Sequence, residues 1–157
     1  MDTTKTEEQF KRVMDECRTL FAKKLHDYGA SWRILRPSSL TDQLFIKAKR
    51  IRSLEITGTS LVGEGIRPEF IALINYGIIG LIQLEKGYVD TVDTKPEEAL
   101  ALYDAHAKEC LELMLRKNHD YNEAWRDMRI SSYTDFILTK IQRIKEIEGL
   151  DGKTLVS

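Results

Sequence analysis

Cysteine, histidine and proline are scarce in this chain, and neither sign of charge prevails. Each shortage excludes something. The two cysteines, Cys17 and Cys110, fall on the apolar faces of helical patterns and read as small core residues rather than a disulfide or a metal pair. Three histidines without metal-ligand spacing argue against a zinc site. The formal net charge of −1 offers no electrostatic basis for bulk nucleic-acid binding, which needs a basic face. The opening residues, Met-Asp-Thr-Thr-Lys-Thr-Glu-Glu, contain no apolar run, so no signal peptide is read there and a cytoplasmic setting is expected. There is no Gly-x-x-x-x-Gly-Lys-Ser/Thr loop, no dinucleotide fingerprint and no nucleophile elbow, which sets those enzyme classes aside.

What the chain does have is a copy of itself. The stretch from His26-Asp27-Tyr28 through Trp32-Arg33 to Arg36 returns as His119-Asp120-Tyr121 through Trp125-Arg126 to Arg129. Extended without gaps, Glu16 to Glu55 aligns on Glu109 to Glu148 with 18 of 40 positions identical. Such self-similarity takes precedence over other readings. The shared residues are mostly polar, while the apolar ones have drifted, as in Phe21 against Met114. Hydrophobic residues at 42% and charged residues at 31% describe an ordinary globular composition. The expectation is an all-α helical bundle of two tandem repeats, 1–90 and 91–157, packed as one domain about a pseudo-twofold.

In chain order, residues 5–27 read as a helix, since Phe10, Val13, Met14, Cys17, Leu20, Phe21 and Leu25 recur at spacings of three and four. Gly29 ends it and Asn122 ends its counterpart, both tolerating the left-handed conformation. A connector over 30–40, with one helical turn at 32–35, is broken at Arg36-Pro37 because the residue before proline avoids helix. Thr41 is expected to cap a helix from Asp42 to Thr57, and Thr134 its repeat. In both, the following aspartate, Asp42 or Asp135, favours the helix dipole. Residues 58–68 form a glycine-rich loop containing Glu64. Residues 69–86 are apolar nearly all round, which marks a helix buried on most sides. A membrane span is the lesser alternative, because Asn75, Gln83 and two glycines interrupt it. Buried Asn75 must be hydrogen-bonded. A polar linker over 87–95 leads to Pro96 in the first turn of a helix over 96–119. The final 152–157 echo 58–63, so the chain stops where a second Glu64 loop and buried helix would begin. A shortened sequence is the expectation there.

Several residues could carry chemistry. On a helical wheel of ~100° per residue, Lys47 falls in the middle of its helix's apolar stripe, and Lys140 does the same. A lysine facing inward in both copies suggests an internal anion or carboxylate; the alternative is a lysine that snorkels out of a crowded helix while pairing with a nearby acid. Arg50 and Arg143 follow one turn on, so Lys-x-x-Arg could grip a phosphate, lysine as point charge and arginine as fork. Lys24 and Lys117 lie near helix ends, where snorkelling is easier. His26, Tyr28, Trp32 and Arg33, with His119, Tyr121, Trp125 and Arg126, offer rings and bases suited to a nucleobase pocket. The same rings suit a helix-end hydrophobic cluster. Asp27, Glu55, Glu64, Asp120 and Glu148, with Glu69, supply carboxylates for Mg²⁺ beside a substrate phosphate.

The His-Asp-Tyr-Gly-x-Ser/Ala-Trp-Arg block, the Thr-Asp-x-x-x-x-Lys-x-x-Arg helix and the Glu64-Gly65 and Asn75-Tyr76 pairs together resemble a bacterial and phage family. It was long described as a domain of unknown function and is now called nucleotide modification associated domain. A weaker resemblance is to the MazG-like all-α nucleoside triphosphate pyrophosphatases, which hold Mg²⁺ with acidic helix motifs and grip phosphates with basic residues. Here Ala72 stands where the last acid of a Glu-x-x-Asp motif would be, and no Glu-x-x-Glu lies on the Lys47 helix.

These resemblances imply nucleotide handling, and the weaker one implies a Mg²⁺-dependent pyrophosphohydrolase. The alternative is a non-catalytic helical binding or assembly module whose repeated ions are internal salt bridges. The two differ in what Lys47 faces: a solvent-connected cleft with several carboxylates and no saturating partner, or, for a scaffold, full pairing of each lysine within hydrogen-bond distance. Unpaired apolar faces lead to the expectation of a homodimer.

Overall fold

The computed structural model describes residues 4–58 and 65–156. Among these residues the chain is all-α, with helices α1 (Thr4–Tyr28), α2 (Pro37–Thr57), α3 (Arg67–Lys86), α4 (Pro96–Tyr121) and α5 (Ile130–Gly149). Two 3-10 turns, Ser31–Ile34 and Ala124–Asp127, follow α1 and α4. The second turn and α5 begin 93 residues after the first turn and α2, which is the shift of the sequence repeat. Both halves therefore carry helix, 3-10 turn, helix in the same order, and α3 follows the first half alone among the described residues.

Local chemistry sets the element ends. Gly29 closes α1 at φ +65°, and its amide bonds Leu25 O at 2.8 Å. Asn122 does the same for α4 at φ +52°, its amide 2.9 Å from Asn118 O. A carboxamide in the left-handed region replaces a glycine there at small cost. Gly58 closes α2 in the left-handed conformation.

The start of α2 corrects the sequence reading. Thr41 does not cap it, because the helix already begins at Pro37, with Arg36 extended at φ −74°, ψ 155°. Proline at the first helical position loses no hydrogen bond and brings its own φ. The same dipeptide that stops the 3-10 turn thus starts the next helix. Thr41 lies inside α2, buried, with its hydroxyl oxygen 3.1 Å from Pro37 O. Thr134 likewise lies inside α5, its hydroxyl oxygen 3.4 Å from Ile130 O. Asp42 and Asp135 are consequently past the first turn, and Asp135 pairs instead with Arg52.

α2 packs against α3 on one side and α5 on the other, while α1 and α4 pack together and each meets α3. Thr6 at the start of α1 reaches Glu123 beyond α4, and Arg18 Nε meets Asp104 Oδ1 at 2.7 Å, so these helices run antiparallel. The core gathers Phe21, Leu25, Leu40, Ile78, Ile82 and Tyr103, with Phe21 stacked on Tyr103 at a centroid distance of 4.5 Å. Each such side chain contributes roughly 1.5–3 kcal/mol by leaving water.

α3 is less enclosed than its composition suggests. Ile78, Ile79 and Ile82 are buried, but Leu81 and Leu84 are exposed. One face of this apolar helix therefore lacks a cover. Asn75 meets expectation: its Nδ2 donates to Cys17 O at 3.1 Å and its Oδ1 accepts from Tyr103 Oη at 2.8 Å. Both groups of the buried amide are satisfied within the protein. Cys17 is fully buried, and burial pushes its thiol up to about 11. Among the described residues no helix is long and apolar enough to cross a membrane.

Candidate functional site

A cleft of about 690 Å³ opens between α1, the first 3-10 turn, α2 and α3. α2 supplies Lys47 and Arg50, α1 supplies Lys24 and Tyr28, the turn supplies Trp32, and α3 supplies Glu69 and Tyr76. Its size lies within the range of small-molecule sites. Elements distant in sequence build it, since the Gly29 turn brings Trp32 beside the end of α1 and α3 lies along α2.

Glu69 is the centre of its electrostatics. The carboxylate is buried, with Lys47 Nζ 3.5 Å from Oε2 and Arg50 Nη1 3.3 Å from Oε1. Lys47 therefore faces an internal carboxylate, as its position in the apolar stripe implies. Its side chain is 28% exposed, so it reaches both the cleft and the acid. Glu69 Oε2 is buried and accepts no hydrogen bond from the described residues. Among the described lining residues, Lys24, Lys47 and Arg50 stand against this one carboxylate.

Tyr28 stands at the rim, largely exposed, and half-buried Trp32 forms part of the wall. His26 points away: it is exposed, with Nδ1 3.0 Å from Asp27 Oδ1, and neither residue lines the cleft. Arg33 lies behind the cleft rather than in it. Its guanidinium is fully buried, donating to Gln83, to Gly87 O at 2.6 Å, to Asp93 Oδ1 at 3.1 Å and to Thr94 Oγ1 at 3.2 Å. Gln83 answers by donating to Arg33 O at 2.8 Å and Leu35 O at 2.7 Å. Arg33 thus ties the connector over 87–95 to α3. The hydrogen bond from Arg33, with one from Thr94, holds the Asp93 carboxyl below its ordinary range.

The second copy is arranged differently. Lys140 and Arg143 are exposed on α5, as are His119, Tyr121 and Trp125. Arg126 turns toward α1, donating to Glu123 Oε2 at 2.6 Å and to Thr6 and Gln9 at 2.7 Å each, while lying over the Trp125 ring. Trp125 Nε1 donates to Asn118 Oδ1 at 2.7 Å. Hydrogen bonds from Thr6, Arg126 and Asn118 hold the Glu123 carboxyl down to about 2.

The carboxylates singled out for Mg²⁺ are not brought together. Asp27 and Asp120 are exposed beside His26 and His119. Glu55 accepts from Thr134 at 3.1 Å, and Glu148 accepts from Thr41 at 3.0 Å, both at the α2–α5 contact. Glu64 lies outside the described residues. Among the described residues no group of three His, Cys, Asp or Glu side chains could hold a metal ion. The contribution of Tyr76 to the cleft was not read from the sequence, because its ring lies on a helix of nearly uniform apolarity. Gln83, Asp93 and Thr94 were likewise missed as partners of Arg33, since nothing local links them to it.

No curated protein and no solved structure matches the chain significantly. A family model does, over residues 24–84 and 117–157, which span both copies of the repeated block and most of α3. On that match the chain belongs to the family described as nucleotide modification associated domain 1.

Proposed function

We propose that the cleft binds a nucleotide, its phosphates toward Lys47 and Arg50, Lys24 at the mouth, and its base against Tyr28 or Trp32. One observation carries this reading. In a chain of net charge −1, three cations and four aromatic rings converge on one concave surface, with Glu69 the one carboxylate among the described lining residues. Phosphate needs cations of this kind, and bases stack on such rings. The family's name, nucleotide modification associated domain 1, supports the same ligand class.

Mg²⁺ enters this proposal with the phosphates, since the ion is commonly held by one or two carboxylates plus substrate oxygens. Glu69, whose buried Oε2 accepts no hydrogen bond from the described residues, is the carboxylate offered to it or to a ribose hydroxyl. A finer form of the proposal is hydrolysis of a nucleoside triphosphate by water to the monophosphate and pyrophosphate. Mg²⁺ would then stabilise charge developing on the attacked phosphate. A second reading, a binding or assembly module with an internal salt-bridge cluster, draws on the pairing of Glu69 with both Lys47 and Arg50.

Thermal stability of the protein against a panel of nucleotides, with and without Mg²⁺, separates the two. A nucleotide at a hundredfold excess over its Kd adds about 2.7 kcal/mol, and Lys47→Ala is expected to abolish the shift. Pyrophosphate release from the bound nucleotide tests hydrolysis. Absence of any shift across the panel overturns the nucleotide reading and favours the module.

A further inference from the structure

An apolar groove of about 810 Å³ runs between α1, α3, α4 and the second 3-10 turn. Its position follows from the repeat. α3 is seated on Cys17 and Phe21 of α1, on Arg33 of the first 3-10 turn, and on Ala99 and Tyr103 of α4: Asn75 bonds Cys17 O and Tyr103 Oη, Gln83 bonds Arg33, and its isoleucines share a cluster with Phe21, Ala99 and Tyr103. Shifted by 93 residues, those five positions become Cys110, Met114, Arg126, Thr6 and Phe10. All five line the groove. The groove thus includes the counterparts of the residues that hold α3; further along α1 it is lined by Val13 and Met14, and its other wall is α3 itself, through Ile74, Gly77 and Leu81.

We propose that this groove receives a separate α-helix built like α3 and supplied by a partner protein. The equivalent surface in the same molecule already holds such a helix, which fixes the chemistry of the occupant. It is apolar along the face laid into the groove. It carries a carboxamide where Gln83 stands, to meet Arg126, whose side chain is 32% exposed where that of Arg33 is 1% exposed. No second carboxamide is called for eight residues earlier, because Phe10 lacks the hydroxyl that Tyr103 gives Asn75; an acid lies fourteen residues before the carboxamide, as Glu69 does before Gln83. That acid would come to Lys140 and Arg143 on α5 as Glu69 comes to Lys47 and Arg50. A second copy of the chain cannot provide the helix intact, because the matching face of its own α3, Ile78, Ile82 and Gln83, is buried at home.

The test uses a labelled synthetic peptide with the sequence of residues 67–86, lysines appended for solubility, titrated into the full chain by fluorescence anisotropy. Saturable binding is expected. It should weaken by at least ~10-fold, about 1.4 kcal/mol, in the Val13→Asp protein, which puts a carboxylate into the groove at an already part-exposed position. The same loss is expected for a peptide with leucine in place of its Gln83, a change that leaves the protein's own folding untouched. Circular dichroism melting confirms that Val13→Asp remains folded. Absence of saturable binding, or binding indifferent to both changes, overturns the proposal. So does sedimentation showing a dimer that Val13→Asp splits, since a second copy would then cover the groove.

Discussion

The Thr41 hydroxyl donates to Glu148 Oε2 across the α2–α5 contact at 3.0 Å. The equivalent bond from Thr134 to Glu55 Oε2, at 3.1 Å, closes the other end of the same contact. Two antiparallel helices of the same pattern thus exchange the same threonine–glutamate bond. These threonines are neither caps nor ligands for a substrate; they satisfy carboxylates that are partly withdrawn from water.

Removing either hydroxyl strands a carboxylate. Thr41→Val and Thr134→Val are each expected to cost about 1.5–3 kcal/mol, the range for hydrogen bonds to charged groups. At this chain length that lowers the melting temperature by roughly 3–10 °C. The two bonds lie at opposite ends of the contact, so the double variant should lose close to the sum. Urea denaturation of the three variants checks this. A neutral Thr134→Val would show that Glu55 finds water instead.

Arg33 and Arg126 occupy the same place in the motif and should respond differently. Arg33→Ala leaves the buried Gln83 amide and Gly87 carbonyl without their donor and is expected to cost about 3–5 kcal/mol. Arg126→Ala removes a part-exposed guanidinium and should cost about 1 kcal/mol or less. Equal losses in chemical denaturation would contradict the asymmetry described for the two copies.

Glu123 sets a pH dependence. Its carboxyl is held at about 2, against an ordinary value of 4.5, chiefly by the Thr6 hydroxyl and then by Arg126 and Asn118. A depressed folded-state pKa stabilises the protein above the unfolded value, and the contribution is lost as pH falls from about 4.5 toward 2. Glu123→Gln should therefore melt earlier than the parent at pH 7 and converge on it near pH 2. A gap between the two melting curves that stays constant across that range would reject the assignment.

At the helix ends, Gly29→Ala is expected to destabilise by about 1 kcal/mol, because φ +65° suits glycine and crowds a Cβ against its own backbone. Asn122→Gly, at the corresponding end of α4, should be neutral within ~0.5 kcal/mol. Melting temperatures of the two variants, compared with the parent, decide this.

The sequence by itself determined the helices, their punctuation and the repeat. Those features are local: three-and-four periodicity, a proline that fixes φ, a glycine or asparagine that accepts positive φ. It also pointed to an anionic partner for Lys47 and Lys140 alike, because an ammonium in an apolar stripe needs a counter-ion or a route to water; Lys140 took the route to water and Lys47 the counter-ion. The sequence did not determine which group. Only the fold brought Glu69 to within 3.5 Å of Lys47, buried Arg33 behind the cleft while its copy Arg126 turned to α1, and moved Thr41 from a helix cap to a helix contact. These outcomes depend on residues tens of positions apart, and the covering of one half by α3 makes equivalent sequences unequal. A motif fixes what a side chain can do; the helix packed against it fixes whether the side chain lines a cleft, seals the core or stays in water.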